Sequence, residues 1–124
     1  MKKGKKAKIE KHFLKIQLKI SNKSISSLQV ITLAILNLKP LLELRKVKKK
    51  RKIFTVPFPV NISRQISLAI KLIKNNVKNK NFFEDTLVAE LIDCFNNKGF
   101  CLKSIRQSHN LILRNRIYKH YRWF

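Results

Sequence analysis

The sequence predicts a mainly α-helical domain, a bundle of about five helices with a protruding two-stranded β-ribbon and a basic N-terminal arm. Three observations predict it. Apolar residues recur at helical spacing in separate stretches along the chain. One stretch, residues 41–61, changes to a period of two around a run of cations. The opening segment, residues 1–8, is Met-Lys-Lys-Gly-Lys-Lys-Ala-Lys, a solvated tail when it has no partner.

The elements follow in order. Residues 1–8 are set apart as the disordered arm, and residues 9–124 as one domain. Ile9, Phe13, Ile16 and Ile20 fall on one helical face, although Leu14, Ile16, Leu18 and Ile20 also alternate as a strand would. After the polar break Asn22–Ser27, Ser26 or Ser27 can cap a second helix, with Leu28, Ile31, Ile35 and Leu38 as its stripe. Pro40 ends that helix, because the residue before proline disfavours the α region. Leu42, Leu44 and Val47 then lead into Lys48–Lys52, followed by Phe54, Val56, Phe58 and Val60 in strict alternation. Two strands around a five-residue basic tip make a hairpin arm. Pro57 and Pro59 make its second strand an edge. Being marginal alone, the ribbon must lean on the helices or on a partner.

Three helices follow the ribbon. Ser63 can cap the first, with Ile66, Ile70, Ile73 and Val77 buried, and Asn75–Asn81 is a polar link. The next opens on Glu84 and Asp85, favourable at a helix N-terminus. It buries Phe83, Leu87, Leu91 and Cys94 or Phe95, and Gly99 closes it. The last runs from about Lys103 to His120 and carries Arg106, Arg114, Arg116 and Lys119. Four of the six acids lie on the middle helix, which marks it as the helix turned away from a polyanion.

Length and charge narrow the function. A chain of 124 residues holds one small domain. Its formal charge of +23 opposes compaction unless something anionic covers it, yet 44% of its residues are hydrophobic, too many for a disordered basic tail. The partner is therefore a polyanion, nucleic acid or an acidic membrane surface. Two glycines exclude a glycine-rich phosphate loop. The longest apolar run, Leu28 to Leu38, is broken by Gln29, Thr32 and Asn37 and is too short to span a bilayer. The lysine-rich start lacks the apolar run of a signal peptide. Glu10, and the lack of any arginine before Arg45, speak against a mitochondrial presequence. Two cysteines make no disulfide scaffold, so a reducing compartment is expected. Twenty-two lysines, 15 isoleucines and 11 asparagines against 4 alanines point to an AT-rich genome.

Chemistry-bearing constellations are sparse. Cys94, Cys101, His109 and His120 invite a zinc reading, but their spacings exceed those of structural zinc sites, and the cysteines read as small buried hydrophobes. No orienting acid supports a Cys–His nucleophile, so no enzyme, cofactor or small-molecule substrate is expected. The tip Lys48–Lys52 is placed to project charge away from the core, onto nucleic acid. In the C-terminal stretch Tyr118 packs inward, while Tyr121 and Trp123 can stack on bases or pack on an RNA backbone.

Several stretches together resemble a known family. Phe54-Thr55-Val56-Pro57 with Arg64 and Leu68-Ala69-Ile70-Lys71 resembles the Y-x-V-P and R-x-x-x-L-A-I-R pattern of small-subunit ribosomal protein seven, bacterial and organellar type. Leu87, Glu90, Leu91 and Asp93 match its L-A-N-E-L-L-D helix, and Asn97-Lys98-Gly99 its N-x-G. Lys103, His109, Asn115 and the ending His120-Tyr121-Arg122-Trp123 match its last segment, and Leu38–Arg45 resembles its V-K-P-M-V-E-V-R. The resemblance covers about residues 28–123. It departs at Lys103-Ser104-Ile105-Arg106, where the family has K-K-R-E, and at the tip, where Lys48–Lys52 stands for Gly-Gly. The family's first helix finds no counterpart before Pro40.

The resemblance implies a primary binder of small-subunit rRNA in the 3′ major domain that forms the head. It places the ribbon near the exit-site tRNA, and the C-terminus near the mRNA path and neighbouring head and platform proteins. A divergent, AT-biased member fits a mitochondrial ribosome, or else another organellar or AT-rich bacterial one. The expected RNA-binding residues are Lys46, Lys48, Lys49, Lys50, Arg51, Lys52, Arg64, Lys71, Arg114, Arg116, His120, Tyr121, Arg122 and Trp123. Neither a metal nor a membrane is expected. The rival is a free basic helical protein that binds and compacts DNA. Affinity for the cognate rRNA should fall with salt at a log–log slope steeper than about −4, since each neutralised phosphate contributes roughly −0.7 to −0.9. Titrations at stepped KCl concentrations check this, and a flat response contradicts phosphate-dominated binding.

Overall fold

In the computed structural model, which describes residues 3–23, 26–78 and 81–123, five α-helices, one hairpin and a closing 3-10 helix follow one another. They are α1 (Lys6–Ser21), α2 (Ser27–Leu38), β1 (Leu42–Lys49), β2 (Lys52–Pro59), α3 (Ile62–Val77), α4 (Phe83–Phe95), α5 (Phe100–Arg114) and the 3-10 segment Arg116–Trp123. The fold class is the one read from the sequence. α4 lies at the centre and touches α1, α2, α3 and α5. Ile16 and Ile20 of α1, Val30, Ala34 and Leu38 of α2, and Ala69, Ile73 and Val77 of α3 close over Val88, Leu91 and Cys94 of α4. Cys101 and Ile105 of α5 complete this core.

Helix faces differ from the expected stripes where the sequence offers more apolar residues than one face can bury. α2 is apolar nearly all round, and tertiary packing selects Val30, Ala34 and Leu38 and leaves Leu28 exposed. In α3 the buried line is Gln65, Ala69, Ile73 and Val77, while Ile66 and Ile70 face outward. The Gln65 side-chain amide donates to the Val60 carbonyl at 3.0 Å, which is how a polar residue is tolerated inside. Ile9 and Phe13 of α1 and Phe83 of α4 are likewise exposed, whereas Ile16 and Ile20 are buried.

Several boundaries move for local reasons. Lys6 to Lys8 are helical rather than part of an arm, and Lys6 pairs with Glu10 one turn on (3.7 Å). Met1 and Lys2 lie outside the described residues, as do Ser24 and Ile25 of the polar break and Asn79 and Lys80 of the link. Asn61, not Ser63, caps α3, its side chain accepting from the Ile62 N–H. α2 ends at Leu38, with Lys39 already extended before Pro40 as expected.

Gly99 does not close α4. There the chain makes a Schellman turn on Asn97, whose φ is 56°. The Lys98 N–H donates to the Asp93 carbonyl (2.8 Å) and the Asn97 N–H to the Cys94 carbonyl (3.2 Å). Gly99 follows at φ 97°, ψ 176° as the residue that opens α5. A Cβ there would meet Asp93 Cβ at 3.1 Å. Gly99→Ala should therefore destabilise the fold by about 1–3 kcal/mol, because that backbone region is essentially reserved for glycine. Asn97→Gly, which relieves a left-handed residue, should melt at or above the parent temperature; thermal unfolding of both variants at high salt checks the pair.

Candidate nucleic-acid interface

The ribbon is a regular antiparallel ladder, from Leu42 opposite Pro59 to Lys49 opposite Lys52. Its tip is tighter than the five-residue one expected. Lys48 and Lys49 belong to β1 and Lys52 to β2, so only Lys50 and Arg51 turn. Lys50 takes φ 54°, as the first central residue of a two-residue hairpin turn requires in a right-twisted ribbon. Lysine thus does the work of a glycine, at a local cost of about 1 kcal/mol.

Helix α5 ends at Arg114, not His120, and the chain tightens into the 3-10 segment that crosses β2. Asn115 makes this break. Its side-chain N–H donates to the Leu111 carbonyl (2.8 Å), and its carbonyl accepts the Thr55 hydroxyl of β2 (2.9 Å). Tyr118 then packs against Phe54 of the ribbon (5.3 Å between ring centroids) instead of entering the helical core. Tyr121 stacks on Phe54 at 4.9 Å and 14°. The Lys49 ammonium sits 4.5 Å from the Tyr121 ring centroid, a cation–π contact, and His120 leans on the same ring (4.1 Å). The ring is thus a support for the tip, and it keeps a partly exposed surface.

These contacts bring one part of the expected site together. Lys49, Lys50, Arg51 and Lys52 surround a groove of about 490 Å³ floored by Phe54 and Tyr121. Lys46 and Lys48 are exposed farther down β1, and Arg116, His120 and Arg122 follow on the 3-10 segment, where the Arg122 Nε–H donates to the Lys119 carbonyl. Arg114, at the end of α5, is exposed. The side chain of Trp123 lies outside the described residues.

Arg64 and Lys71 lie elsewhere. Arg64 donates from Nε to Glu43 at 2.8 Å, at the base of the ribbon, and Arg45 donates to the other oxygen of the same carboxylate. The Arg45 guanidinium also lies over the Phe58 ring at 5.2 Å. Burial pushes the Glu43 carboxyl up, but hydrogen bonds from Arg64 and Arg45, and their charge, outweigh it and hold the group below the ordinary carboxylate range. Lys71 stands at a separate, mostly apolar cavity of about 660 Å³ between the ribbon base, α3 and α5, which His109 also lines.

Two acids at the start of α4 pair with α1. Glu84 accepts from His12 (2.6 Å) and Lys19 (3.3 Å), and Lys19 also reaches Asp85 (2.6 Å). The hydrogen bond from His12, with those from Lys19 and the charge of Lys15, holds the Glu84 carboxyl below its ordinary range, and Asp85 above all raises Lys19. Sequence reasoning missed this grip of α1 on α4, and it missed Asn115, Thr55 and Glu43 as the residues that position the ribbon. The alternation that exposed the strands carries no record of which distant polar groups meet them.

The sequence model of the family described as Ribosomal protein S7p/S5e matches residues 1–116. The chain belongs to this family. The match takes in α1 and α2 in full and stops where the 3-10 segment begins. The small ribosomal subunit protein uS7 of Chlamydia caviae is 39% identical over 92 residues, 73% of this chain and 59% of that relative. That of Thermomicrobium roseum is 35% identical over 98 residues, 77% of this chain and 63% of the relative. That of Geobacter sp. strain M21 is 34% identical over 89 residues, 70% of this chain and 57% of the relative. The chain thus spans about three-fifths of the length of these bacterial relatives. The family description and the names of these relatives are those of ribosomal proteins.

The Glu43 geometry sets a pH dependence. A carboxyl with a depressed native pKa contributes stability above its unfolded value, about 4.3, and loses it as pH falls through the native one. Protection factors of the ribbon amides, exchange rates taken relative to the intrinsic rate at each pH, should therefore fall below about pH 4. Glu43→Gln, which keeps the shape and removes the charge, should show the lower protection already at pH 7 and no acid step there.

Proposed function

We propose that the chain is a structural constituent of the small ribosomal subunit that binds its rRNA through the ribbon tip and the C-terminal segment. Its site is the 3′ major domain of the head, near the exit-site tRNA and the mRNA path, beside neighbouring head and platform proteins. The observation that carries this reading is the groove that Lys49, Lys50, Arg51 and Lys52 line together with Phe54 and Tyr121, in a chain of the S7p/S5e family. Four cations gathered at one groove, with Lys49 seated on the Tyr121 ring, suit a phosphate backbone, since such contacts position a protein without reading bases. Three of the acids are paired with cations of the fold: Glu43 with arginines, Glu84 and Asp85 with α1. The AT-rich composition supports a mitochondrial ribosome, with another organellar or an AT-rich bacterial ribosome as the alternative.

Mutation should separate the RNA face from the core. Changing Lys49, Lys50 and Arg51 together to Ala should leave the fold intact and weaken protection of the rRNA under the ribbon. Leu91→Ala, which empties a buried site, should cost about 2–5 kcal/mol and keep the chain out of particles. Incorporation into small subunits, read by DNase-resistant co-sedimentation and rRNA footprinting, checks both. Exclusion of the tip variant alongside normal entry of Leu91→Ala reverses the assignment, and loss of the parent chain from small-subunit fractions on DNase treatment favours DNA binding.

A further inference from the structure

The junction of α4 and α5 holds a group of ligand atoms that the ribosomal reading does not use. Cys94 and Cys101 are fully buried and Glu90 is 7% exposed. One oxygen of Glu90 and the two sulfur atoms all lie within 4.8 Å of one another. The fold builds this cluster. Glu90 and Cys94 stand four residues apart on α4, so their side chains share one face, a turn apart. The Schellman turn and Gly99 then reverse the chain, and Cys101 arrives in the first turn of α5. That turn carries the positive end of the helix dipole, which favours a thiolate. The Cys101 thiol donates to Glu90 Oε2 at 3.6 Å, and Asn76 of α3 reaches the Cys101 sulfur at 3.7 Å. His109, at the apolar cavity, and His120, on Tyr121, are not part of this group.

We propose that Glu90, Cys94 and Cys101 form a structural zinc site that pins α4 to α5. Two thiolates select zinc over magnesium or calcium, and a carboxylate is an ordinary third ligand. Bond lengths of about 2.3 Å from zinc to sulfur imply sulfur atoms about 3.8 Å apart in a tetrahedron, so the pocket needs only a small contraction. The fourth position is left to a water, beside the Asn76 amide that already reaches the Cys101 sulfur. Binding displaces one proton from each thiol to solvent while a dication enters. Two protons leave as two positive charges enter, so a chain at +23 gains a cross-link without gaining charge.

The test uses the full-length chain under thiol reductant, with cobalt(II) as the optical probe and zinc as competitor. One equivalent of cobalt should give thiolate charge-transfer bands and the visible bands of a tetrahedral ion; zinc should displace it, raise the melting temperature and protect both thiols from alkylation. Cys94→Ala/Cys101→Ala, small apolar replacements that keep the core packed, should retain the helical circular dichroism and lose the bands. Glu90→Gln should keep the bands and weaken binding by about tenfold or more, in line with the loss of a carboxylate beside a metal. The proposal is overturned by a parent chain that gives no thiolate bands and no zinc protection, or by bands that persist in the double alanine variant.

Discussion

Helix α4 touches each of the other four α-helices and carries four of the six acids. The two facts are one constraint. A chain with this excess of positive charge repels itself, and its few carboxylates do most where cationic elements must be drawn together. Glu84 and Asp85 do this for α1, taking His12 and Lys19 at hydrogen-bond distance while Ile16 and Ile20 bury beneath them. An exposed ion pair alone contributes little. Placed over a closing apolar core, these pairs also decide which face of α1 turns inward. The outward consequence is electrostatic sorting: negative charge is spent within the fold, and the ribbon and C-terminal segment are left almost uniformly cationic.

A second, smaller constraint governs the ribbon. Two strands do not hold themselves in water, and this pair is fixed at both ends. At the base, Glu43 bridges Arg45 on its own strand to Arg64 on α3. Near the tip, Thr55 is bound to Asn115, and Phe54 carries the rings of Tyr118 and Tyr121. The same arrangement that stiffens the ribbon gathers cations from two distant parts of the chain. Rigidity and charge density at the tip therefore have a common origin.

The element types were legible because their signals are local. Phe54, Val56, Phe58 and Val60 alternate, Pro40 ends the helix before it, and Glu84-Asp85 marks a helix start. Faces and ends were not legible where several local solutions compete. α2 offers Leu28, Ile31, Leu33, Ile35 and Leu36 with little to rank them, and Ala34, small enough for close approach to α4, settles the choice only in three dimensions. Gly99 looks like a terminator because glycine commonly ends helices, while Asn97 takes the left-handed position and glycine is needed two residues on. The last helix looks longer in the sequence than it is because a run of good helix formers hides the stop imposed by Asn115, whose partner Thr55 is 60 residues away. The tip cations could be named from sequence, whereas the aromatic floor beneath them could not.

That separation of 60 residues has a consequence for the order in which the protein takes shape. α4 and α5 are joined by a tight turn and can dock soon after both exist, since closing a short loop costs little chain entropy. The contacts of Thr55 with Asn115 and of Phe54 with Tyr121 close the long way round, across α3, α4 and α5. During synthesis the hairpin is complete long before the segment that steadies it has been made. For that interval its strands are held only from the base. The charged tip gains its fixed geometry as one of the last events of folding, after the helical body that presents it is already in place.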